Sequence, residues 1–119
     1  MKELTKTEER IMLIFWKIKK GFVKDVIEQL PDNPPYNTIS SVVRILVDKE
    51  YLSFKAYGKT YEYYPIIKKS EYRKTQLKKV ISEYFGDSPA SLLSHIVNEE
   101  KLDAEEIRKM KEIIDKMED

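Results

Sequence analysis

Between Thr5 and Gly21 the apolar residues Ile11, Met12, Ile14, Phe15 and Ile18 recur at helical intervals and form one broad stripe, with Trp16 at its margin. Thr5-x-x-Glu8 places a capping box in front of that stripe. Lys19-Lys20-Gly21 reads as its end, a cationic last turn followed by a terminating glycine. Phe22-Val23 reads as a short extended piece. Lys24 to Leu30 then reads as a brief second helix that buries Val26, Ile27 and Leu30, stopped by Pro31-Asp32-Asn33-Pro34-Pro35.

The stretch from Tyr36 to Leu52 sorts into two faces at about 100° per residue. Ile39, Val42, Val43, Leu46 and the alkyl stem of Glu50 fall on one side. Asn37, Ser41, Arg44 and Asp48 fall on the other, flanked by Thr38 and Ser40. Pro34-Pro35 forbids helix just upstream, so Tyr36 or Asn37 begins it, with Asn37 the better cap. The outer face therefore carries small hydroxyls, one amide and one arginine. Such groups hydrogen-bond to phosphates and base edges and are small enough for the helix to enter a major groove.

From Tyr51 to Tyr57 the period changes to two, with Leu52, Phe54 and Ala56 alternating with Ser53, Lys55 and Tyr57. Gly58 supplies a turn. Thr60 to Pro65 is the returning strand, closed by a proline that can end a ladder but not continue it. Three helices followed by a hairpin is the order of a winged helix-turn-helix, the hairpin being the wing. The fold class expected is mainly α (α+β): a winged-helix domain over residues 1–66 and a three-helix segment over 67–119.

In that second segment, Lys68 to Phe85 carries Tyr72, Leu77, Val80, Ile81, Tyr84 and Phe85, and Gly86 ends it. Ser88-Pro89 opens another helix bearing Leu92, Leu93, Ile96 and Val97, with Ser88 as cap. Asp103-x-x-Glu106 opens the last, where Ile107, Met110, Ile114 and Met117 form an a/d seam. Three short amphipathic helices have too little surface among themselves to bury all these stripes. They either fold back onto the first domain or pair with the same segment of a second chain. The second arrangement is preferred, because an isologous dimer supplies the symmetry that paired half-sites ask for. Val80, Tyr84, Leu92, Leu93, Ile96, Ile107, Met110 and Ile114 are the residues expected at that interface.

Composition narrows the chemistry. The 119 residues hold 22 Lys+Arg and 21 Asp+Glu, so net charge alone does not argue for a polyanionic partner. Residues 67–79 concentrate six Lys+Arg against one acid, while residues 98–119 hold five against nine. The Lys68-Lys69, Arg73-Lys74, Lys78-Lys79 ladder is a solvated face or a source of non-specific attraction to phosphates. With no cysteine and a single histidine, His95, thiolate and multi-histidine metal sites are excluded, as are cysteine nucleophiles. No glycine-rich phosphate loop is present, and the carboxylates mostly lie beside lysines at helical spacing. An enzyme is therefore not expected, nor a cofactor or metal. There is no apolar run of membrane-spanning length and the N-terminal residues are unlike a signal peptide, so a soluble cytoplasmic protein is expected.

Taken together, Leu4-Thr5-x-x-Glu8, Trp16, Tyr36-x-Thr38, Arg44-x-Leu46-Val47-x-Lys49-x-Tyr51-Leu52, Gly58-Lys59-x-Tyr61-x-Tyr63-x-Pro65 and Leu102-Asp103-x-Glu105-Glu106-Ile107 resemble the penicillinase-repressor and methicillin-resistance-repressor family. The resemblance runs through nearly the whole chain. It implies a homodimeric transcriptional repressor whose N-terminal winged helix binds a palindromic double-stranded DNA operator and whose C-terminal helices dimerise. It also implies that Thr38, Ser40, Ser41 and Arg44 are the recognition-helix contacts, with Lys59 at the wing tip where relatives usually carry arginine. Lys55 joins this set as a strand cation. Antibiotic-responsive members are cut in the dimerisation segment, between an asparagine and a phenylalanine, which implies a membrane metalloprotease sensor as a partner. The aligned bond here is His95–Ile96. Copper-responsive relatives use C-terminal cysteines, and this chain has none. The alternative reading is a winged-helix module that docks protein instead of DNA, which would expose apolar residues on the third helix and wing.

Overall fold

The computed structural model describes residues 1–99 and 102–117, with side chains described as far as Ile113. Among them are six helices, α1 (Lys6–Ile18), α2 (Val23–Glu28), α3 (Tyr36–Asp48), α4 (Lys69–Tyr84), α5 (Pro89–Glu99) and α6 (Ala104–Met117), and one hairpin, β1 (Leu52–Tyr57) with β2 (Thr60–Pro65). The chain divides into two compact units, Met1–Arg73 and the residues from Lys74 onward. The division falls inside α4, because Tyr72 in its first turn is buried in the core of the first unit.

The capping box forms as the sequence predicts: Thr5 Oγ1 accepts from the Glu8 amide at 3.1 Å and Glu8 Oε1 accepts from the Thr5 amide at 3.2 Å. The end of α1 differs from expectation. Lys19, not Gly21, takes the left-handed turn, with φ 74°, and its amide returns to the Phe15 carbonyl. Gly21 has another task. Its backbone pairs with Tyr63 in both directions, at 3.0 and 2.8 Å, adding a third short rung to the wing. A Cβ there would lie 2.9 Å from Ile18 Cδ1 and 3.2 Å from Asp25 Cβ, so a side chain at position 21 would crowd its neighbours in α1 and α2. The helix α2 begins at Val23, one residue before its expected start, because the Asp25 carboxylate caps the Phe22 amide at 2.8 Å and Val23 is buried.

Asn37 is not the cap of α3. Pro35 occupies that position in extended geometry and its carbonyl receives the Thr38 and Ile39 amides at 3.1 and 3.3 Å. Glu50 is likewise not on the packing face. It follows the helix with φ 64°, while Tyr51 N–H reaches the Leu46 carbonyl and Glu50 N–H the Val47 carbonyl, both at 3.0 Å. This is a Schellman end with a glutamate where glycine is favoured. The core gathers Ile11, Met12 and Phe15 of α1, Val23 and Val26 of α2, and Ile39, Val43 and Leu46 of α3, together with Leu30, Tyr51, Leu52, Tyr63 and Tyr72. Each of these large side chains contributes about 1.5–3 kcal/mol by leaving water. Within β1 the face carrying Leu52, Phe54 and Ala56 is buried only at Leu52; Phe54 is 44% exposed, because the hairpin runs out past the core. There Phe54 pairs with Tyr63 across the ladder and packs on Tyr61 at 4.8 Å between ring centroids.

Three contacts bind the far end of α3 and the residues just after it to the start of the chain. Lys49 Nζ donates to Glu8 Oε1 and, at 2.9 Å, to the Glu3 carbonyl. The Tyr51 hydroxyl donates to the Lys2 carbonyl. Burial raises the Glu8 carboxyl, but hydrogen bonds from Lys49 and Thr5 outweigh it and hold the group below its ordinary 4.5.

The second unit lacks such a core. Of its described residues from Lys74 to Ile113, none is buried. Ser88 caps α5 as expected, its Oγ accepting from Ser91 N–H at 3.1 Å, and of the box expected at α6 the Asp103 half forms, Oδ1 accepting from Glu106 N–H at 2.9 Å.

Glu50→Gly removes the left-handed penalty and should raise the unfolding free energy by about 0.5–1 kcal/mol in urea titrations, net of glycine's backbone entropy; an equal or lower midpoint would contradict the strained-end account. A carboxylate held below its unfolded value stabilises the fold above pH 4.5 and loses that contribution as pH falls through the lowered folded value. Glu8→Gln should therefore show a shallower loss of thermal stability than the parent between neutral pH and pH about 3. Parallel slopes would show that Glu8 carries none of the acid sensitivity.

Candidate nucleic-acid interface

The proline pair ends one segment and starts α3 at Tyr36, which sets the outer face of the helix beside the wing. Asn37, Thr38, Ser41, Arg44 and Asp48 are exposed there and Ser40 is half-buried. Between the first half of α3 and the wing lies an open groove of about 370 Å³. Its cations are Lys24 of α2, Arg44 of α3 and Lys59 of the turn, and no carboxylate lines it. Phe22, Tyr36, Tyr61 and Tyr63 supply the apolar walls, with Asn37 and Ser40 as uncharged polar groups. A smaller groove of about 300 Å³ continues along Arg44, Val47, Asp48, Phe54, Tyr61 and Tyr63, so Arg44 borders both. Burial pushes the Tyr63 hydroxyl up, and the charge of Arg44 opposes that shift.

Of the six residues expected to meet nucleic acid, Ser40, Arg44 and Lys59 converge on the larger groove. Thr38 and Ser41 lie exposed on α3 outside its lining. Ser41 Oγ donates to the Asn37 carbonyl at 2.9 Å, which commits its proton to the helix and leaves the oxygen as an acceptor. Lys55 sits opposite Glu62 in the ladder, its Nζ 5.4 Å from the centre of the Tyr57 ring. Gly58, at φ 62°, allows the tight turn that presents Lys59. Lys24, Tyr36 and Tyr61 also face the groove and were not foreseen. The aromatic run Thr60–Pro65 signalled Tyr61, whereas nothing in the spacing of α2 marked Lys24.

The expected interface residues of the second unit leave much apolar surface uncovered. Val80 and Tyr84 are exposed, Tyr84 at 74%. Leu92, Leu93, Ile96, Ile107 and Met110 are half-buried. The Ile114 side chain lies outside the described ones. His95 is exposed on α5, its ring 5.6 Å from that of Phe85. Among the described residues no cluster of His, Cys, Asp and Glu is arranged to hold a metal ion, and no helix is long and apolar enough to cross a membrane.

Comparison with known proteins agrees with this geometry. The sequence model of the penicillinase repressor family matches residues 4–116. The methicillin resistance regulatory protein MecI of Staphylococcus aureus (strain N315) is 24% identical over 116 residues, covering 96% of this chain and 94% of its own. The penicillinase repressor of Bacillus licheniformis is 21% identical over 115 residues, covering 95% and 90%. Among solved structures, the DNA-binding domain of the repressor BlaI superimposes with a TM-score of 0.52 at 26% identity, over 60% of this chain and 94% of that one.

Proposed function

The chain belongs to the penicillinase repressor family, and on that footing we propose that it is a homodimeric transcriptional repressor of the cytoplasm. The winged helix of each protomer binds one half of a palindromic operator. The observation that carries this reading is the groove between α3 and the wing, with three cations, no carboxylate and small polar groups on the adjoining helix face. Such a lining suits a phosphate backbone with base edges beside it. Arg44, at the border of both grooves, takes a guanine edge or a phosphate; Lys24 and Lys59 neutralise the backbone on either side. Thr38, Ser40 and Ser41 add hydroxyl contacts, and Lys55 adds charge on the wing.

The dimer is supported by the uncovered apolar surface of the second unit. Val80, Tyr84, Leu92, Leu93, Ile96, Ile107 and Met110 find no full burial within one chain, whereas apolar stripes of this size are ordinarily covered. On this reading residues 1–66 form the DNA-binding domain and 67–119 the dimerisation domain. A membrane metalloprotease sensor, as partner, would relieve repression by cutting the latter. The bond aligned with the family's cleavage point, His95–Ile96, lies inside α5, so that helix would have to unwind first.

A second reading draws support from the wing. Ile45 at 41%, Phe54 at 44% and Tyr61 at 46% are exposed beside the recognition face, and an apolar surface there suits a protein partner. The two readings separate on one measurement. In fluorescence anisotropy on the duplex upstream of its own gene, Arg44→Ala should weaken specific binding by about 1–3 kcal/mol. A parent protein indifferent to every duplex at low salt would transfer the function to protein docking, and an unaffected variant would remove Arg44 from the contacts.

Tyr84 is too exposed to support the single chain, so Tyr84→Asp together with Val80→Asp should leave the fold of one protomer intact. In sedimentation velocity this variant should raise the dimer dissociation constant at least about tenfold, or 1.4 kcal/mol. A dimer as tight as the parent's would place the interface elsewhere.

A further inference from the structure

The outer arc of α3 is not chemically uniform. Its exposed residues beyond Tyr36 are Asn37, Thr38, Ser41, Arg44, Ile45 and Asp48. With Ser41 as the middle, at about 100° per residue Asn37 and Arg44 lie roughly 40° and 60° to one side, and Ile45 and Thr38 roughly 40° and 60° to the other. The first pair faces the wing, since both line the larger groove with its cations. Thr38, Ser41 and Ile45 line neither groove beside the wing. The face therefore has a charged flank toward the wing and an uncharged flank away from it. On the uncharged flank one side chain breaks the helix's own pattern. Ile39, Val43 and Leu46 are buried and Val42 and Val47 half-buried, yet Ile45 is 41% exposed and stands outside the core cluster. A lone apolar side chain on a surface is ordinary; this one stands on the arc that would enter a major groove.

Ser41 lies one turn before Ile45, at the i, i+4 spacing that makes neighbours on a helix surface. Its hydroxyl proton goes to the Asn37 carbonyl at 2.9 Å, so toward a ligand it offers an acceptor. An acceptor beside an apolar group complements an A·T pair in the major groove, where adenine presents its N6 amino donor and thymine its 5-methyl group. A G·C pair offers the cytosine amino donor but no methyl. We propose that Ile45 is a specificity-determining residue that packs on the 5-methyl group of thymine, so that the site this protein selects carries an A·T pair under the middle of α3. This role rests on the DNA-binding reading above and is independent of the dimer. It assigns the exposed Ile45 to DNA, where the second reading would give it to a protein partner.

The test uses the full chain with Ile45→Val, which removes one methyl group, and Ile45→Ala. Neither touches the core, and alanine is the better helix former, so thermal melting should show both folded. Binding is measured by anisotropy on the duplex that the parent protects upstream of its own gene, and on the same duplex with deoxyuridine for every thymidine in the protected stretch. That exchange deletes the methyl groups and keeps the base pairing. The parent should bind the uracil duplex at least about fivefold more weakly than the thymine duplex, Ile45→Ala no more than about twofold more weakly, and Ile45→Val in between. Because the contact is uncharged, the dependence of affinity on salt should be the same for the parent and Ile45→Ala. A uracil penalty that is absent from the parent, or equal in the parent and Ile45→Ala, would overturn the proposal. A parent that binds no duplex at low salt would refute the DNA-binding reading and the proposal with it; because that result appears in the unmodified protein on natural DNA, the two failures are told apart.

Discussion

One buried carboxylate ties the first helix to the end of the third. Glu8 is the single buried charged residue among the described ones, and it serves two helices at once. It closes the capping box of α1 and receives the ammonium of Lys49, the residue at which α3 stops. Removing a carboxylate from water costs several kcal/mol unless its oxygens are satisfied, and an unpaired one costs about 3–5 kcal/mol in stability. Here the Thr5 amide and Lys49 Nζ both donate to Glu8 Oε1, and the Lys49 ammonium balances the charge. The pair therefore adds modest net stability, but it makes wrong placements of α3 expensive. Because the pair sits at the far end of α3 from Tyr36, Ser40 and Arg44, it defines the position of the groove-lining half without occupying it.

The wing needs a separate anchor, since only Leu52 and Tyr63 in its strands are buried. The Gly21–Tyr63 rung supplies it. A two-stranded hairpin alone is marginal in water; a third segment of backbone and the Phe54–Tyr61–Tyr63 aromatic group compensate beyond the reach of the core. The same anchor places Phe22 and Lys24 against the groove, because α2 starts directly after the rung. The pairing at position 21 thus also sets a third cation beside the groove.

Period and punctuation made most of this legible in advance. The capping box of α1, the proline stop before α3, the change from helical to alternating spacing at Leu52 and the turn at Gly58 all rest on local rules, and each element is present within a few residues of where those rules put it. What escaped was tertiary. Gly21 reads as a helix terminator until Tyr63 is seen beside it, and Lys19 bears the positive φ in its place. Glu50 has the right phase for the packing face, but a Schellman turn lies between it and the helix. Asn37 is the better cap by propensity, yet the Pro35 carbonyl was sufficient. Lys24 had no periodic signal at all, since its importance comes from the rung that folds α2 toward the wing. The grouping of Ser40, Arg44 and Lys59 was foreseeable from helix phase and turn position; their common groove, with its aromatic walls, was not.

The contrast between the two units is itself an argument about mechanism. The first reaches a complete core within one chain and satisfies its buried charge. The second has well-capped helices whose apolar stripes remain half-covered, with Tyr84 and Ile113 largely in water. Local stability without tertiary closure is what a segment shows when its packing partner is another molecule. On the proposed dimeric reading its folding would be tied to protomer concentration, and disrupting α5 or α6 would weaken association before it touched DNA binding. If two copies bind as proposed, a weak, salt-screened half-site contact gains useful affinity from their joining, since the second then binds at a high effective concentration. On the proposed reading, regulation needs no site on α3: loosening the second unit would be enough to release DNA.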